Sequence, residues 1–292
     1  MRALVIGASG QVGGAIASRL AERAHHVVGT HHGHPQPETR SLDVRDASAT
    51  ERCIAETEPD WVICPAALTA VDYCESHRDE AMAANRDAPA AAARVAAKRG
   101  AGFVYFSTEY VFDGEAGPYA EDAAVRPQSV YALSKLEGER RVVEENPRAM
   151  VIRSTVVYGP EGQGKNFVYQ VLRRARAGEP VRVPNDQRSS PTYNADLATA
   201  TVELIEREFR GVLHVAGPVV LDRQAFALEV CAAFGLDAGL VEAVTTASLG
   251  QPARRPLRAG LVTDRARALL RTPLRGPREG LLEMRRALEG AR

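Results

Sequence analysis

Apolar positions switch between two periods along most of the chain. Residues 2–6 form a short apolar run suited to a buried parallel strand. Gly7-Ala8-Ser9-Gly10-Gln11-Val12-Gly13-Gly14 follows at once. Val12, Ile16 and Leu20 then recur every four residues, on one face of a helix running to about residue 23. The same switch repeats. Residues 27–30, 41–44 and 61–64 read as strands two to four, with a helix near 49–57 between the last two. An alanine-rich helix over 80–98 leads to a strand at 103–106, and a helix over 129–145 leads to a strand at 150–152. This alternation predicts an α/β fold: a Rossmann-type, doubly wound parallel sheet.

Beyond Gly159 the rhythm loosens. A glycine-rich loop, helices near 167–177, 195–208, 226–234, 264–270 and 279–288, and short strands near 181–183 and 212–215 suggest a smaller C-terminal α/β lobe. The expected division is 1–158 plus about 186–214 for a nucleotide-binding domain, and 159–185 plus 215–292 for a substrate lobe. No low-complexity linker separates them, so tight packing is expected.

Composition narrows the classes. With 45% hydrophobic and 25% charged residues among 292, the chain has the balance of an ordinary globular protein. Thirty-seven basic and 37 acidic residues cancel, removing the global electrostatic case for nucleic-acid or anionic-membrane binding. Four cysteines form no CxxC pair, so neither a disulfide framework nor a zinc site is expected. No apolar run approaches 18 residues, and a cytoplasmic protein is the expectation. Only Lys98, Lys135 and Lys165 are lysines, which makes each worth inspecting.

Gly7-x-x-Gly10-x-x-Gly13 lies between a strand and an amphipathic helix. There glycines let backbone approach a pyrophosphate, and the helix N-terminus carries partial positive charge. Folds of this kind that select NAD usually carry an acid at the end of strand two. Thr30 stands there, followed by His31, His32 and His34, so NADPH, or relaxed use of NADPH and NADH, is favoured over strict NADH. Asp43, ending strand three ahead of Val44, is placed either to bind the adenine amino group or to cap a helix.

Tyr131 and Lys135 stand four apart on a predicted helix, about 5 to 6 Å apart at Cβ. An ammonium nearby lowers a phenol's pKa, and a tyrosine so tuned can protonate a carbonyl oxygen as hydride reaches its carbon. Lysine would also hold the nicotinamide ribose. Ser107-Thr108 ends a predicted strand, where sheets of this class put their chemistry, and the Thr108 hydroxyl can reach the same oxygen. From Leu249 to the C-terminus, 11 arginines face four acids; Arg255 and Arg258 are candidates for a substrate diphosphate, against a solvated-face alternative.

Gly-Ala-Ser-Gly-Gln-Val-Gly at 7–13, Ala66-Ala67 with Ala70-Val71-Asp72, Asn85, the run from Ser107 to Gly114, Tyr131-Ala132-Leu133-Ser134-Lys135 and Asp186 to Thr192 resemble the extended short-chain dehydrogenase/reductases. Within these, the likeness is closest to the dTDP-4-dehydrorhamnose reductases and covers nearly the whole chain. The resemblance implies Thr108, Tyr131 and Lys135 as a catalytic set. It implies Gly10, Gln11, Val12, Asp43, Val44, Ala66 and Ala67 around the cofactor, joined by Gly7 and Ser9 of the glycine motif, and Thr108 with Glu109 on the sugar. Three positions depart: Glu109 replaces an aspartate, Pro65 an asparagine, and Val156 a tryptophan of the sugar pocket.

The expected activity is therefore NADPH-dependent reduction of a 4-keto nucleotide-linked deoxysugar, with no metal. The nucleotide sugar is the expected partner, and a homodimer is compatible with the sequence. Two alternatives stand beside it. A sugar-nucleotide epimerase or dehydratase shares the Thr-Tyr-Lys set, but dehydratases of this group have Asp-Glu after the threonine, where this chain has Glu109-Tyr110. A non-catalytic NADP-binding regulatory subunit, like the β subunit of methionine adenosyltransferase, has a closely similar pattern.

Overall fold

The computed structural model describes residues 1–290. The glycine turn sits between strand β1 (Arg2–Val5) and helix α1 (Gln11–Glu22). β2 (His26–His31), β3 (Thr39–Ser41), α2 (Ala47–Thr57) and β4 (Trp61–Cys64) follow. Helices α3 (Val71–Ser76) and α4 (Arg78–Met82) lead through a π-helical turn, Ala83–Asp87, into α5 (Ala88–Lys98) and then β5 (Gly102–Thr108). A 3-10 turn at Glu109–Val111 and a loop precede α6 (Val130–Glu145), β6 (Ala149–Ser154) and β7 (Val157–Tyr158). The rest comprises α7 (Phe167–Arg176), β8 (Val181–Pro184), β9 (Arg188–Ser189), β10 (Thr192–Tyr193), α8 (Asn194–Glu206), β11 (Gly211–His214) and β12 (Leu221–Asp222). It ends with α9 (Arg223–Phe234), β13 (Val241–Val244), α10 (Asp264–Leu269) and α11 (Pro277–Gly290).

Seven strands, all parallel, form the central sheet in the order β11-β6-β5-β4-β1-β2-β3. The doubly wound α/β expectation is met. Strand order reverses between β1 and β4, and such a switch point opens a crevice at the strands' carboxyl ends. Both faces of the sheet are buried. Val5, Ile63, Val104 and Ile152 pack under Ile16 and Leu20 of α1 and Leu197 and Leu204 of α8. Leu4, Val62, Phe103 and Val151 pack under Ile54 of α2, Ala92 and Ala96 of α5 and Val142 of α6. Each fully buried Val, Leu, Ile or Phe here contributes about 1.5–3 kcal/mol, so these two layers hold the crevice in place. A third cluster joins Val168 and Leu172 of α7, Val183 of β8, Tyr193 of β10, Phe226 and Val230 of α9, and Leu281 and Met284 of α11.

Two local expectations are corrected. Strand three ends at Ser41 rather than continuing to 44, because Thr39, Arg40 and Ser41 exhaust the register against Gly29, Thr30 and His31. Asp43 and Val44 therefore lie in the following turn. Asp46, not Asp43, caps α2 by accepting from the Ala49 amide at 2.9 Å. The helix expected over 80–98 is broken by the π turn. Fully buried Asn85 sits in that turn; its side chain accepts from the Leu68 amide (2.8 Å) and donates to the Leu68 carbonyl (3.0 Å) and the Ser134 hydroxyl (2.9 Å).

Candidate active site

Gly7, at φ +94°, turns the chain out of β1, and its amide donates to the Thr30 hydroxyl at 3.1 Å. The next amide, Ala8, donates to the Thr30 carbonyl at 2.7 Å. Gly10 begins α1 without a side-chain cap, so first-turn N–H groups are left for a ligand.

This turn forms one wall of a cleft of about 1080 Å³ at the switch point. Gly7, Ser9, Gly10, Gln11, Val12, His32, Asp43, Val44, Ala66, Ala67, Thr108, Tyr131 and Lys135 all line it, as the sequence led one to expect. Four expected residues do not. Thr30 is fully buried and spends its hydroxyl on the glycine turn; His31 bonds Thr39 Oγ1 through Nδ1 at 2.7 Å. The Glu109 carboxylate is turned away, accepting from the Gly260 amide at 2.9 Å. Arg258 is exposed outside the cleft, its backbone engaged with Gly114 and Gly117. Arg255 lines the cleft, but both terminal nitrogens fork onto the Asp72 carboxylate at 2.9 and 2.8 Å. Of the described arginines after Leu249, Arg255 alone is among the lining residues. Among the other described arginines of this stretch, several pair along α11, such as Arg285–Glu289 and Arg286–Glu283.

Other side chains arrive that the motif reading did not single out. Arg45 holds Asp43 through three side-chain contacts of 2.7–3.1 Å, and its guanidinium keeps that carboxyl down at about 2. Tyr110, one residue beyond Glu109, takes the cleft position and meets Tyr131 edge to face at 5.9 Å. Gln187 donates to the Tyr110 hydroxyl at 3.4 Å. Arg223, first residue of α9, has its guanidinium 5.2 Å from the Phe167 ring centre. Arg182, Gln163 and Lys165 complete that wall. Tyr110 and Gln187 fall inside motifs quoted above; Arg223 carried no sequence signal.

Ser129 caps α6 by accepting from Ala132 at 3.2 Å and so sets the helix that carries Tyr131 and Lys135. The Thr108 hydroxyl caps the 3-10 turn, accepting from Tyr110 at 3.2 Å. The expected lowering of the Tyr131 phenol by Lys135 is not what the structure gives. Burial pushes Tyr131 above the usual phenol range, and the adjacent Tyr110 adds to this; the Thr108 hydroxyl acts the other way. Lys135 lies with its ammonium 4.1 Å from the Tyr105 ring centre, and burial brings it down to about 8. Burial pushes Glu109 up to about 7, despite Thr155, Arg223 and the Gly260 amide.

The donor set fits a dinucleotide. Buried polar atoms without partners are scarce in folded proteins, yet Gln11 Nε2, Ser107 Oγ, Ser154 Oγ and Thr155 Oγ1 are all such atoms in cleft-lining residues. They stand beside an uncapped helix N-terminus and a buried lysine, the arrangement a polar, anionic ligand would satisfy.

The model of the RmlD substrate binding domain matches residues 1–289. The chain belongs to the RmlD family. It is 38% identical to a dTDP-4-dehydrorhamnose reductase of Mycobacterium tuberculosis over 96% of this chain and 91% of the other. A Streptomyces antibioticus protein described as a probable dTDP-4,6-dihydroxy-2-methyloxan-3-one 4-ketoreductase is 36% identical over 97% and 94%. The fold matches a Bacillus anthracis dTDP-4-dehydrorhamnose reductase solved in complex with NADP, at TM-score 0.90, 28% identity and coverage of 98% and 99%. The RmlD-family protein is thus an NAD(P)-dependent oxidoreductase of the extended short-chain dehydrogenase/reductase type. Among its described residues no helix is long and apolar enough to cross a membrane.

Proposed function

We propose that the protein reduces a 4-keto nucleotide-linked deoxysugar with NADPH, Tyr131 delivering the proton. The supporting observation is that Thr108, Tyr131 and Lys135 line one cleft with the glycine turn. A bound nicotinamide supplies hydride to the carbonyl carbon. Tyr131 gives its proton to the carbonyl oxygen, Thr108 donates a hydrogen bond to that oxygen, and the Lys135 ammonium stabilises the phenolate left behind. A phenol held high by burial keeps its proton until the substrate oxygen becomes a stronger base.

In this reading residues 1–158 with about 186–214 serve the cofactor, and 159–185 with 215–292 serve the sugar nucleotide. The lack of an acid at Thr30, with His32 and Arg45 beside the Asp43 carboxylate, favours NADPH over NADH. The turn of Glu109 toward Gly260 weighs against a dehydratase, since it removes an acid from the reacting face. Val156, held at φ +38°, lines the cleft where the resemblance places a tryptophan of the sugar pocket. A panel of 4-keto nucleotide sugars, assayed by loss of NADPH or NADH absorbance, tests the reading. Oxidation of NADPH with at least one is expected. Failure with all of them, together with co-purification with a synthetase, would favour the regulatory-subunit alternative.

The diphosphate is assigned to Arg223 rather than to Arg255 or Arg258, because Arg255 is already answered by Asp72 and Arg258 lies outside the cleft. Arg223→Ala should raise KM about tenfold or more with kcat nearly unchanged, as for a contact made equally to substrate and transition state. Arg258→Ala should change neither. Equal KM effects from the two substitutions would remove the assignment.

A further inference from the structure

The face of α6 that carries Tyr131 and Lys135 continues to Glu139, each residue four beyond the last and about 5 to 6 Å from it at Cβ. Glu139 does not line the cleft, and it is 4% exposed, as Lys135 is 3% exposed. The Glu139 carboxylate accepts from Arg153 of β6 twice, from Nε at 3.0 Å and Nη2 at 2.7 Å. That fork fixes both groups. The helix packs closely there: a Cβ on Gly138 would stand 2.2 Å from the Asn85 carbonyl oxygen and 2.3 Å from the Tyr105 hydroxyl.

The other charged and titratable groups around this pair are accounted for. Arg153 stacks 5.3 Å from the Phe112 ring centre, and its Nη1 faces the Glu121 carbonyl at 3.4 Å and His214 of β11 at 3.5 Å. Burial holds His214 down at about 4, so its ring is neutral near pH 7. The Glu121 carboxylate is occupied by the His214 amide at 3.0 Å. Facing Lys135 are Cys64 of β4, Tyr105 of β5 and Tyr131 and Glu139 of α6. Burial pushes the Cys64 thiol up to about 12, and it pushes both phenols upward as well. Glu139, held at both oxygens by the Arg153 guanidinium, is therefore the carboxylate on that face.

We propose that Glu139, fixed by Arg153, is a positioning residue whose carboxylate keeps the Lys135 amine an ammonium within the buried face of α6. Burial alone favours the neutral amine, and a neutral lysine cannot stabilise a phenolate. An acid one turn along the helix, itself desolvated, opposes that without entering the cleft. The role rests on the reading that Lys135 serves Tyr131.

Having three lysines makes the test direct. In protein labelled with carbon-13 at lysine Cε, three signals are expected, and Lys135→Met identifies one of them. The Lys135 signal should titrate near 8 in the native protein and about one unit or more lower in Glu139→Gln. Because Glu139→Gln leaves buried Arg153 without its partner, a destabilising change, Glu139→Gln/Arg153→Met is measured too. Its Lys135 midpoint should also fall below the native value. An unmoved midpoint in whichever folded variant is obtained overturns the proposal, as does a kcat lowered equally at every pH with that midpoint unmoved. A midpoint that falls while the pH dependence of kcat is unchanged upholds the Glu139 assignment and refutes the role of Lys135 in catalysis.

Discussion

Tyr131→Phe should lower turnover by about 10²–10⁴-fold, the range for loss of a general acid, while NADPH affinity stays within a few fold. The phenol's oxygen is needed when the carbonyl oxygen gains charge, whereas its ring packs edge to face on Tyr110 in either variant. Lys135→Met should harm both quantities, since it removes the charge beneath the phenolate and a group for the cofactor ribose. Fluorescence titration of NADPH and initial rates with an accepted keto-sugar separate the two. Tyr131→Phe turnover within a few fold of native would show that another acid does the chemistry.

Much of the fold was legible because the central sheet is buried on both faces. Continuous apolar runs such as Trp61–Cys64 then coincide with the strand itself, and the helices between show the four-residue spacing of Val12, Ile16 and Leu20. The misread elements are those where a polar side chain overrides periodicity. Asn85 sits among alanines that favour an uninterrupted helix, but its amide satisfies both backbone groups of Leu68, and the helix widens to a π turn to let it. Asp43 and Asp46 are equivalent as capping residues in sequence; the register of β3 decides between them.

The site was legible where local motif and strand end coincide, and less so across the second wall. Thr108, Tyr131 and Lys135 need only one strand, one turn and one helix to meet. Arg255 and Arg223 are placed by packing between distant segments, and sequence cannot show that Asp72, 183 residues earlier, takes the first of them. Glu109 and Tyr110 differ by one position in a 3-10 turn, so which faces the substrate depends on the Gly260 amide that captures the acid. The direction of the Tyr131 shift is not legible in the spacing for a related reason. Helical spacing brings an ammonium near, but desolvation of the whole face outweighs it.

The three glycines of the turn look equivalent in the motif, and the structure separates them into different predictions. A Cβ on Gly13 would stand 2.2 Å from the Gly7 carbonyl oxygen, 2.8 Å from its carbon and 3.0 Å from Ala8 Cα, all backbone atoms that no rotamer change relieves. Gly7 cannot retreat either, since its amide is held by Thr30 and the next amide by the Thr30 carbonyl. In Gly13→Ala, α1 must therefore move off the end of β1, at a cost of about 1–3 kcal/mol, typical of overpacking. The same movement withdraws the first-turn N–H groups from the cleft, so NADPH affinity should fall by roughly tenfold or more, the loss of about one charge-assisted hydrogen bond. Gly10 is the control. Its φ of −87° suits any residue, and its Cβ would lie 3.4 Å from the Gly7 oxygen, an ordinary contact. Gly10→Ala should keep native stability while weakening the cofactor, because beyond the Gly7 oxygen its new methyl, on a cleft-lining residue, meets what enters the cleft. Urea unfolding and NADPH titration of both variants decide the matter, and native stability in Gly13→Ala would mean that helix and strand are less closely packed than described.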